Sequence, residues 1–444
     1  MIIPEAGNAD TRGGGMAQSE RFVWLDALRL IAGVSMIGLH ATADAMGRPF
    51  ADAAVSERVA PMLLRAVIYV ARTELFIIIA LFLLLMGLDR RPRSYGRVVA
   101  EQARRLLVPF LFWTLFYALY NLLKADAFGY GDALRAQLAD PAAWARWLLL
   151  GGVKYHMHFI PTLFLLVLAY PLYRLAVVHP ALGLAVLGTL ALKRELDLFV
   201  YSTFWGTEAL PWIVRGVKGL TYVGYGMAAG AFLGLWRRSA AGSAPGSVRG
   251  EAPDAPVDPV RAARAREVWL PLLLFAGAAL FLAKLAATWL TVTRGEWPHG
   301  FAVGYWADYL MPVVLFAVCL CLAGRRWPKA ISRMAPYAFG IYLCHPIFLD
   351  LAEIVLFRAP ELAPSPIGQV GVKITLALAG TSGLVWLLGR CPPLAWTIGL
   401  GPLPGLRRRS ASPNLKGPSR EGPSLAPPNA PAPGAPLPAS ARLA

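Results

Sequence analysis

The first apolar segment of the chain has a positively charged or titratable residue at each end, Arg29 and His40. Eleven helical steps of about 100° come to three turns plus about 20°, so in a helix both side chains point the same way, about 16 Å apart along the axis. A charged side chain at membrane depth costs about 2.5–3.5 kcal/mol, so such residues usually face the protein interior and have a function. The pair therefore predicts an interior polar site. The alternative is that Arg29 reaches the cytoplasmic surface and His40 the opposite interface.

The residue types near this pair are suited to general-base chemistry. When a hydroxyl attacks an electrophile, a base must take the hydroxyl proton, and histidine is the natural choice because its ordinary pKa is about 6.5. His40 is therefore a candidate general base. Asp44 lies four residues later on the same helical face and could fix the imidazole tautomer. A solvated carboxylate next to a loop is the other interpretation of Asp44.

Two adjacent arginines at the start of a later apolar segment, Arg104 and Arg105, are candidates for binding an anionic donor substrate on the cytoplasmic side. Arginine binds phosphate through planar, bidentate hydrogen bonds. Arg29 could guide the reacting end of the same donor. Anchoring at the cytoplasmic membrane surface explains Arg104 and Arg105 equally well. We expect no bound cofactor and no metal, since the four cysteines lack metal-ligand spacing.

Further polar residues lie in or beside apolar segments. His156 and His158 precede one such segment and could contact an acceptor or pack at the interface, while Tyr342 and His345 lie inside another and need hydrogen-bond partners there. Internal ion pairing is the simplest explanation for the remaining charges in apolar segments, which are Arg72, Glu74, Lys284 and Lys373.

The elements that must position these residues are membrane helices. The 444 residues are 57% hydrophobic and 16% charged, whereas soluble domains have about 25% charged residues. Apolar runs of about 20 residues recur, which is long enough to cross a bilayer core. We predict an all-α, polytopic membrane bundle of about ten transmembrane helices, near residues 23–42, 63–88, 105–123, 158–178, 180–196, 212–236, 268–292, 304–323, 336–357 and 369–390.

Charge distribution predicts the topology and the partners. Arginine and lysine are enriched in the segments that lie inside when the N-terminus is cytoplasmic, so both termini are predicted to be cytoplasmic. The net charge of +17 then reflects topology and contacts with membrane lipids, and no nucleic acid partner is expected. Residues 1–22 are predicted to be a cytoplasmic tail, 23–390 the membrane domain with a flexible cytoplasmic linker at 237–267, and 391–444 a disordered Pro/Ala-rich tail.

Several motifs occur in the order found in one family. Leu25-Asp26-Ala27-Leu28-Arg29 followed by His40 resembles the opening helix of the acyltransferase type 3 family, integral-membrane enzymes that O-acylate cell-surface glycans and related acceptors. Further segments that resemble the family are Arg104-Arg105 with the apolar run through Trp113, His156-Met-His158-Phe-Ile-Pro161, Tyr222-Val-Gly224-Tyr225, and Gly340-Ile-Tyr342-Leu-Cys-His345-Pro346. The resemblance covers about residues 22 to 390.

This resemblance implies a multi-pass transferase of the inner (plasma) membrane that moves an acyl group, expected to be acetyl, from acyl-CoA to a hydroxyl of a surface glycan or lipid-linked sugar. It implies that His40 is the general base. We group Arg29 and Asp44 with His40 as catalytic candidates, and Asp26, His156, Tyr342 and His345 as residues that support the site or contact the acceptor.

Two other functions fit the composition. A transporter or exporter of a glycan or lipid would also need buried charges and a polar path, and it would be expected to have discontinuous helices and no dependence on an acyl donor. A non-catalytic membrane interaction protein would make His40 dispensable. The ordered set of motifs favours the acyltransferase.

Overall fold

The described part of the chain is entirely helical. The computed structural model describes residues 22–45, 47–50, 52–240, 259–295 and 302–403, and within these ranges the chain forms sixteen helices, short 3₁₀ turns and no strand. The helices are α1 (Val23–Ala41), α2 (Val55–Ile68), α3 (Thr73–Arg90), α4 (Tyr95–Ala127), α5 (Gly131–Ala139), α6 (Pro141–Leu150), α7 (Phe159–Leu168), α8 (Tyr170–Val178), α9 (Ala185–Phe204), α10 (Leu210–Thr221), α11 (Val223–Ala240), α12 (Pro259–Arg294), α13 (Ala302–Cys321), α14 (Lys329–Met334), α15 (Ala338–Arg358) and α16 (Pro366–Arg390).

Many of these helices can cross a membrane. Among the described residues, seven helical segments are long and apolar enough to span a bilayer: Val23–Ala41, Val55–Arg90, Tyr95–Ala127, Glu267–Arg294, Gly304–Cys321, Ala330–Arg358 and Pro366–Arg390. An eighth is formed if α7 and α8, which meet at 63°, count as one span. The prediction of an all-α, polytopic membrane protein is confirmed. The total of ten spans and the cytoplasmic termini remain predictions.

The difference between ten predicted and eight observed spans concerns two segments. The predicted span at 180–196 corresponds to α9, which includes the charged run Lys193-Arg194-Glu195 and Asp197. The predicted span at 212–236 is divided between α10 and α11, which meet at Tyr222. The four charged residues make α9 too polar to be a simple membrane span. The break at Tyr222 divides the other segment into two separate helices.

Glycines on α1 and α15 permit close packing with neighbouring helices. A Cβ added at Gly38 of α1 would lie 2.0 Å from Ile68 Cγ2 of α2, and one added at Gly340 of α15 would lie 2.6 Å from Val385 Cγ1 of α16. Small residues at such positions let helix backbones approach one another, which is how membrane helices gain packing energy. α1 is well enclosed, since 14 of its 19 residues are buried.

The predicted domain limits can be compared with the helices only in part. α11 continues to Ala240 and α12 begins at Pro259, so the ends of the predicted linker are helical, while its centre lies outside the described residues. The ordered chain continues past the predicted limit at 390: a 3₁₀ turn at Ala395–Ile398 is buried, and Trp113 Nε1 donates a hydrogen bond to Thr397 O at 2.8 Å. The predicted tails at 1–21 and from 404 onward lie outside the described residues.

Candidate active site

Three histidines from distant parts of the sequence meet inside the bundle. His40 ends the interior stripe of α1, His345 lies in α15, and His156 belongs to the segment between α6 and α7. The ring centroids of His40 and His345 are 5.6 Å apart, and those of His156 and His345 are 5.2 Å apart. All three were predicted as site residues, and the fold brings them together. We call His40, His156 and His345 the histidine cluster.

Tyrosines enclose the histidine cluster. The Tyr155 ring lies 3.9 Å from that of His40, and the Tyr342 ring lies 5.2 Å from that of His156. The Tyr342 hydroxyl donates a hydrogen bond to the backbone carbonyl of His156, which ties α15 to the segment before α7. Tyr342 is therefore a structural clamp of the site as well as part of its wall. The sequence offered only one signal for Tyr155, its position next to His156.

The tautomer of His345 follows from the proline after it. In a helix the N–H of residue 346 would bond the carbonyl of residue 342, but Pro346 has no N–H. The freed Tyr342 carbonyl instead lies 2.8 Å from His345 Nδ1. A carbonyl can only accept, so in the neutral ring Nδ1 has the proton and Nε2 has the lone pair. The His-Pro pair of the motif thus presents a basic nitrogen in a defined direction.

A neighbouring carbonyl of α15 forms a second tie. The hydroxyl of Tyr117 in α4 donates a hydrogen bond to the Leu343 carbonyl of α15 at 2.5 Å. Tyr117 is fully buried, and its ring lies 5.4 Å from that of His156. α4, α15 and the segment before α7 are therefore fixed to one another around the imidazoles.

Buried ring nitrogens in the cluster lack protein partners. His40 Nε2, His345 Nε2 and both ring nitrogens of His156 are inaccessible to solvent, and nothing in the described ranges hydrogen-bonds them. Buried polar atoms are paired in the large majority of cases, and each exception needs an explanation such as a catalytic role or a bound group. Several such atoms in one place, of which one belongs to an oriented base, are suited to proton transfer from a bound hydroxyl.

His156 is neutral in this environment. It lies outside the membrane-spanning helices and is 2% exposed. Burial lowers the pKa of His156 well below its ordinary value, and the positive charges that His345, His40 and Lys154 would carry lower it further. A neutral ring can donate one hydrogen bond and accept another. His156 can therefore orient a hydroxyl or a carbonyl without adding charge to the site.

A chain of buried ion pairs supports the cluster from one side. Lys154 Nζ lies 2.6 Å from Asp350 Oδ2 and donates a hydrogen bond to Asn121 Oδ1 at 3.0 Å. Lys124 bridges Asp350 and Glu353, and Lys373 Nζ lies 3.2 Å from Glu353 Oε1. This buried ion chain joins α4, α15 and α16 to the segment that includes Tyr155 and His156. The sequence analysis did not identify this chain. Asp350, a carboxylate five residues after His345 in an apolar helix, is the signal that could have revealed it.

The other charges predicted to pair internally do so. Arg72 Nε lies 3.3 Å from Glu74 Oε2, and Lys284 Nζ lies 2.8 Å from Asp308 Oδ1. Together with the Lys373–Glu353 pair, these contacts confirm the prediction of internal ion pairing. Glu74 Oε1 also accepts a hydrogen bond from Tyr222 at 2.6 Å, which gives this carboxylate a second buried partner.

The remaining candidates lie away from the histidine cluster or are turned to other partners. Arg29 Nη1 lies 3.1 Å from Asp26 Oδ1 near the start of α1, at the opposite end of that helix from His40. Asp44 accepts hydrogen bonds from the backbone N and from Nε of Arg48, at 2.8 and 3.1 Å. Arg104 is exposed and Arg105 half-buried on α4. Their predicted roles remain predictions.

The described ranges include no group of three or more His, Cys, Asp or Glu residues arranged to hold a metal ion.

No curated protein and no solved structure matches the chain. A family model does match, and it covers the helices that supply the histidine cluster, the buried ion chain and α1. That model, the acyltransferase domain of type 3 (Acyl_transf_3), matches residues 22–393, so the chain belongs to this family of acyltransferases.

Proposed function

We propose that the protein is an integral-membrane O-acyltransferase that moves an acyl group, acetyl in the simplest case, from cytoplasmic acyl-CoA to a hydroxyl of a cell-surface glycan or glycolipid. The observation that supports this best is the histidine cluster, whose buried ring nitrogens have no hydrogen-bond partner in the described chain. Family membership supplies the reaction class, and the multi-pass helices suit an enzyme of the plasma membrane.

In the proposed reaction His40 Nε2 takes the proton of the acceptor hydroxyl. The hydroxyl oxygen attacks the thioester carbonyl, a C–O bond forms and the C–S bond breaks. The departing CoA thiolate takes up the proton, so the products are an ester and free CoA. A positioned base of this kind contributes about 10²–10⁴-fold to the rate.

His345 is the second base that the geometry offers. Its Nε2 is the basic nitrogen because Nδ1 donates to the Tyr342 carbonyl, and its ring lies 5.6 Å from that of His40. We assign His345 to the acceptor side, where it can orient the hydroxyl for His40. Arg29 stays with the donor, since it lies at the other end of α1.

The test is transfer of a labelled acyl group from acyl-CoA to surface glycans in vesicles that contain the full chain. Mass spectrometry of glycans and glycolipids from cells with and without the protein should show the loss of one acyl mass per modified unit. If no acyl mass changes and no donor is consumed, the proposed function is wrong.

A second function is favoured by one observation. α7 and α8 are bent by 63° against each other, and discontinuous helices occur at the substrate sites of many transporters. A transporter would move its glycan or lipid without an acyl donor. Transport that continues in vesicles from which acyl-CoA has been removed would therefore support this alternative and contradict the transferase.

A further inference from the structure

Helix α10 presents two cationic side chains that the acyl-transfer reaction described above does not use, Arg215 and Lys218. Arg215, Lys218 and Tyr222 are spaced i, i+3 and i+7, which places them on one helical face. Tyr222 is 4% exposed and donates a hydrogen bond to Glu74 Oε1 at 2.6 Å. The face with Arg215 and Lys218 is therefore directed into the bundle.

Neighbouring buried cations are paired, and these two are not. Arg72 Nη1 and Lys284 Nζ lie 3.1 and 2.8 Å from the carboxylate of Asp308, and Lys193 pairs with Asp197. Within the ranges that the structure describes, neither Arg215 nor Lys218 forms an ion pair or a hydrogen bond through its side chain. Both side chains are half-buried, so one side remains open to a ligand.

Helix α10 packs against α7, the helix that begins directly after His158. A Cβ on Gly219 of α10 would lie 2.5 Å from Leu165 Cδ2 of α7. Burial lowers the pKa of His158 well below its ordinary value, and the positive charges of Lys218 and Arg215 lower it further. The two cations thus lie on a helix that packs beside the segment with His156 and His158.

We propose that Arg215 and Lys218 form a binding site for a phosphate group of one of the substrates. Burial lowers the pKa of Lys218 to about 7 and that of Arg215 below its ordinary value, so both positive charges are costly until an anion compensates them. The diphosphate bridge of a lipid-linked sugar has two negative charges and so matches two single positive charges, whereas a carboxylate or a single phosphodiester would match one. The arginine adds the planar fork that binds two phosphate oxygens.

The position of α10 beside α7 and the segment with His156 and His158 favours the acceptor as the source of this phosphate. In a lipid-linked sugar the phosphate is attached directly to the sugar whose hydroxyls react. In CoA the phosphates are separated from the sulfur by the whole pantetheine arm, so they would lie farther from the histidine cluster. This inference rests on the proposed function for the substrate but not for the site itself, which can be measured without acyl transfer.

The experiment measures binding to the purified full chain in detergent or lipid discs. Inorganic phosphate should raise the thermal unfolding midpoint in a saturable way and compete with farnesyl phosphate, a short prenyl phosphate. Arg215→Gln and Lys218→Gln should each weaken phosphate binding by about tenfold, since a charge-assisted hydrogen bond is lost. Arg358→Gln, which removes an exposed arginine at the end of α15, should bind phosphate like the parent chain.

Each outcome decides one part of the proposal. No saturable phosphate binding to the parent chain, or equal binding in the two α10 variants and the parent, would overturn the site. Displacement of phosphate by CoA and not by farnesyl phosphate would assign the site to the donor and overturn the acceptor assignment. Intact phosphate binding without any acyl transfer would leave the site standing and contradict only the proposed function. Unfolding midpoints without ligand, together with Arg215→Lys, show whether the variants fold.

Discussion

The two ends of α1 were predicted as one site, and the structure treats them differently. Toward the N-terminal end of α1, Arg29 is buried beside Asp26 at 3.1 Å, so its charge has an opposing carboxylate. At the other end, His40 faces Tyr155 and His345, and its Nε2 has no hydrogen-bond partner in the described chain. A paired group contributes to the fold or to the binding of a charged donor. An unpaired, buried ring nitrogen is available to exchange a proton with a bound substrate.

The largest effect should come from removing that nitrogen. We expect His40→Ala to lower the rate of acyl transfer by about 10²–10⁴-fold, the range for a general base, with little change in donor affinity. The measurement is transfer from labelled acyl-CoA in vesicles, with donor binding measured separately. His179→Ala is the matched control, because His179 is exposed at the end of α8, away from the cluster. A His40→Ala protein that inserts normally and works at the parental rate would end the catalytic interpretation of this end.

The next effect concerns the support of the histidine end. Asp350→Asn leaves Lys154 and Lys124 with less compensating charge inside the protein. Breaking a buried ion pair from one side costs about 3–5 kcal/mol, so the unfolding midpoint should fall sharply. Thermal unfolding in detergent measures this, and Asp132→Asn is the control since its side chain is fully exposed. Equal midpoints would show that the buried ion chain does not stabilise the fold.

A substitution of Arg29 should weaken the use of acyl-CoA and leave the proton transfer unchanged. Arg29→Lys keeps one charge and loses the planar fork, so we expect about tenfold weaker use of acyl-CoA with turnover recovered at high donor concentration. The comparison of the apparent donor constant with the maximal rate, for Arg29→Lys and for His40→Ala, separates the two ends. A loss of maximal rate in Arg29→Lys that no donor concentration restores would join the ends into one catalytic unit again.

The smallest effect should come from the proline that orients His345. Pro346→Ala restores a backbone N–H that can donate to the Tyr342 carbonyl. This N–H would compete with His345 Nδ1 for that acceptor and weaken the hydrogen bond that orients the ring. One hydrogen bond is worth about 0.5–1.5 kcal/mol net, which corresponds to a twofold to tenfold slower reaction. Rates are compared at equal membrane abundance. If Pro346→Ala works at the parental rate while His345→Gln is inactive, the tautomer of His345 is fixed by something other than this carbonyl.

The sequence by itself determined the fold class and the family, and it named the three histidines that the fold brings together. Apolar runs of bilayer length require helices, since every backbone group in lipid must bond within its own segment. The motif residues His40, Tyr342 and His345 could be named because they are polar exceptions in such runs, and a polar residue there needs a reason. Internal pairing of Arg72, Lys284 and Lys373 followed from the same cost of a buried charge.

Only the tertiary structure decided which of these residues meet. Helical periodicity gives the direction of a side chain from its own axis but not which neighbouring helix it faces, so the contact of His40 with His345 and Tyr155 could not be derived. The pairing of Arg29 with Asp26 is different, because an i, i+3 pair on one helix follows from helical periodicity. The pairing of Asp44 with Arg48 depends on the path of the chain after α1 ends. Pairing of Lys154 with Asp350, and the lack of a partner for Arg215 and Lys218, arise from the packing of separate helices. The position of a charged residue in an apolar segment predicts that its burial is costly. It does not predict which residue of another helix compensates the charge, because that depends on how the helices pack.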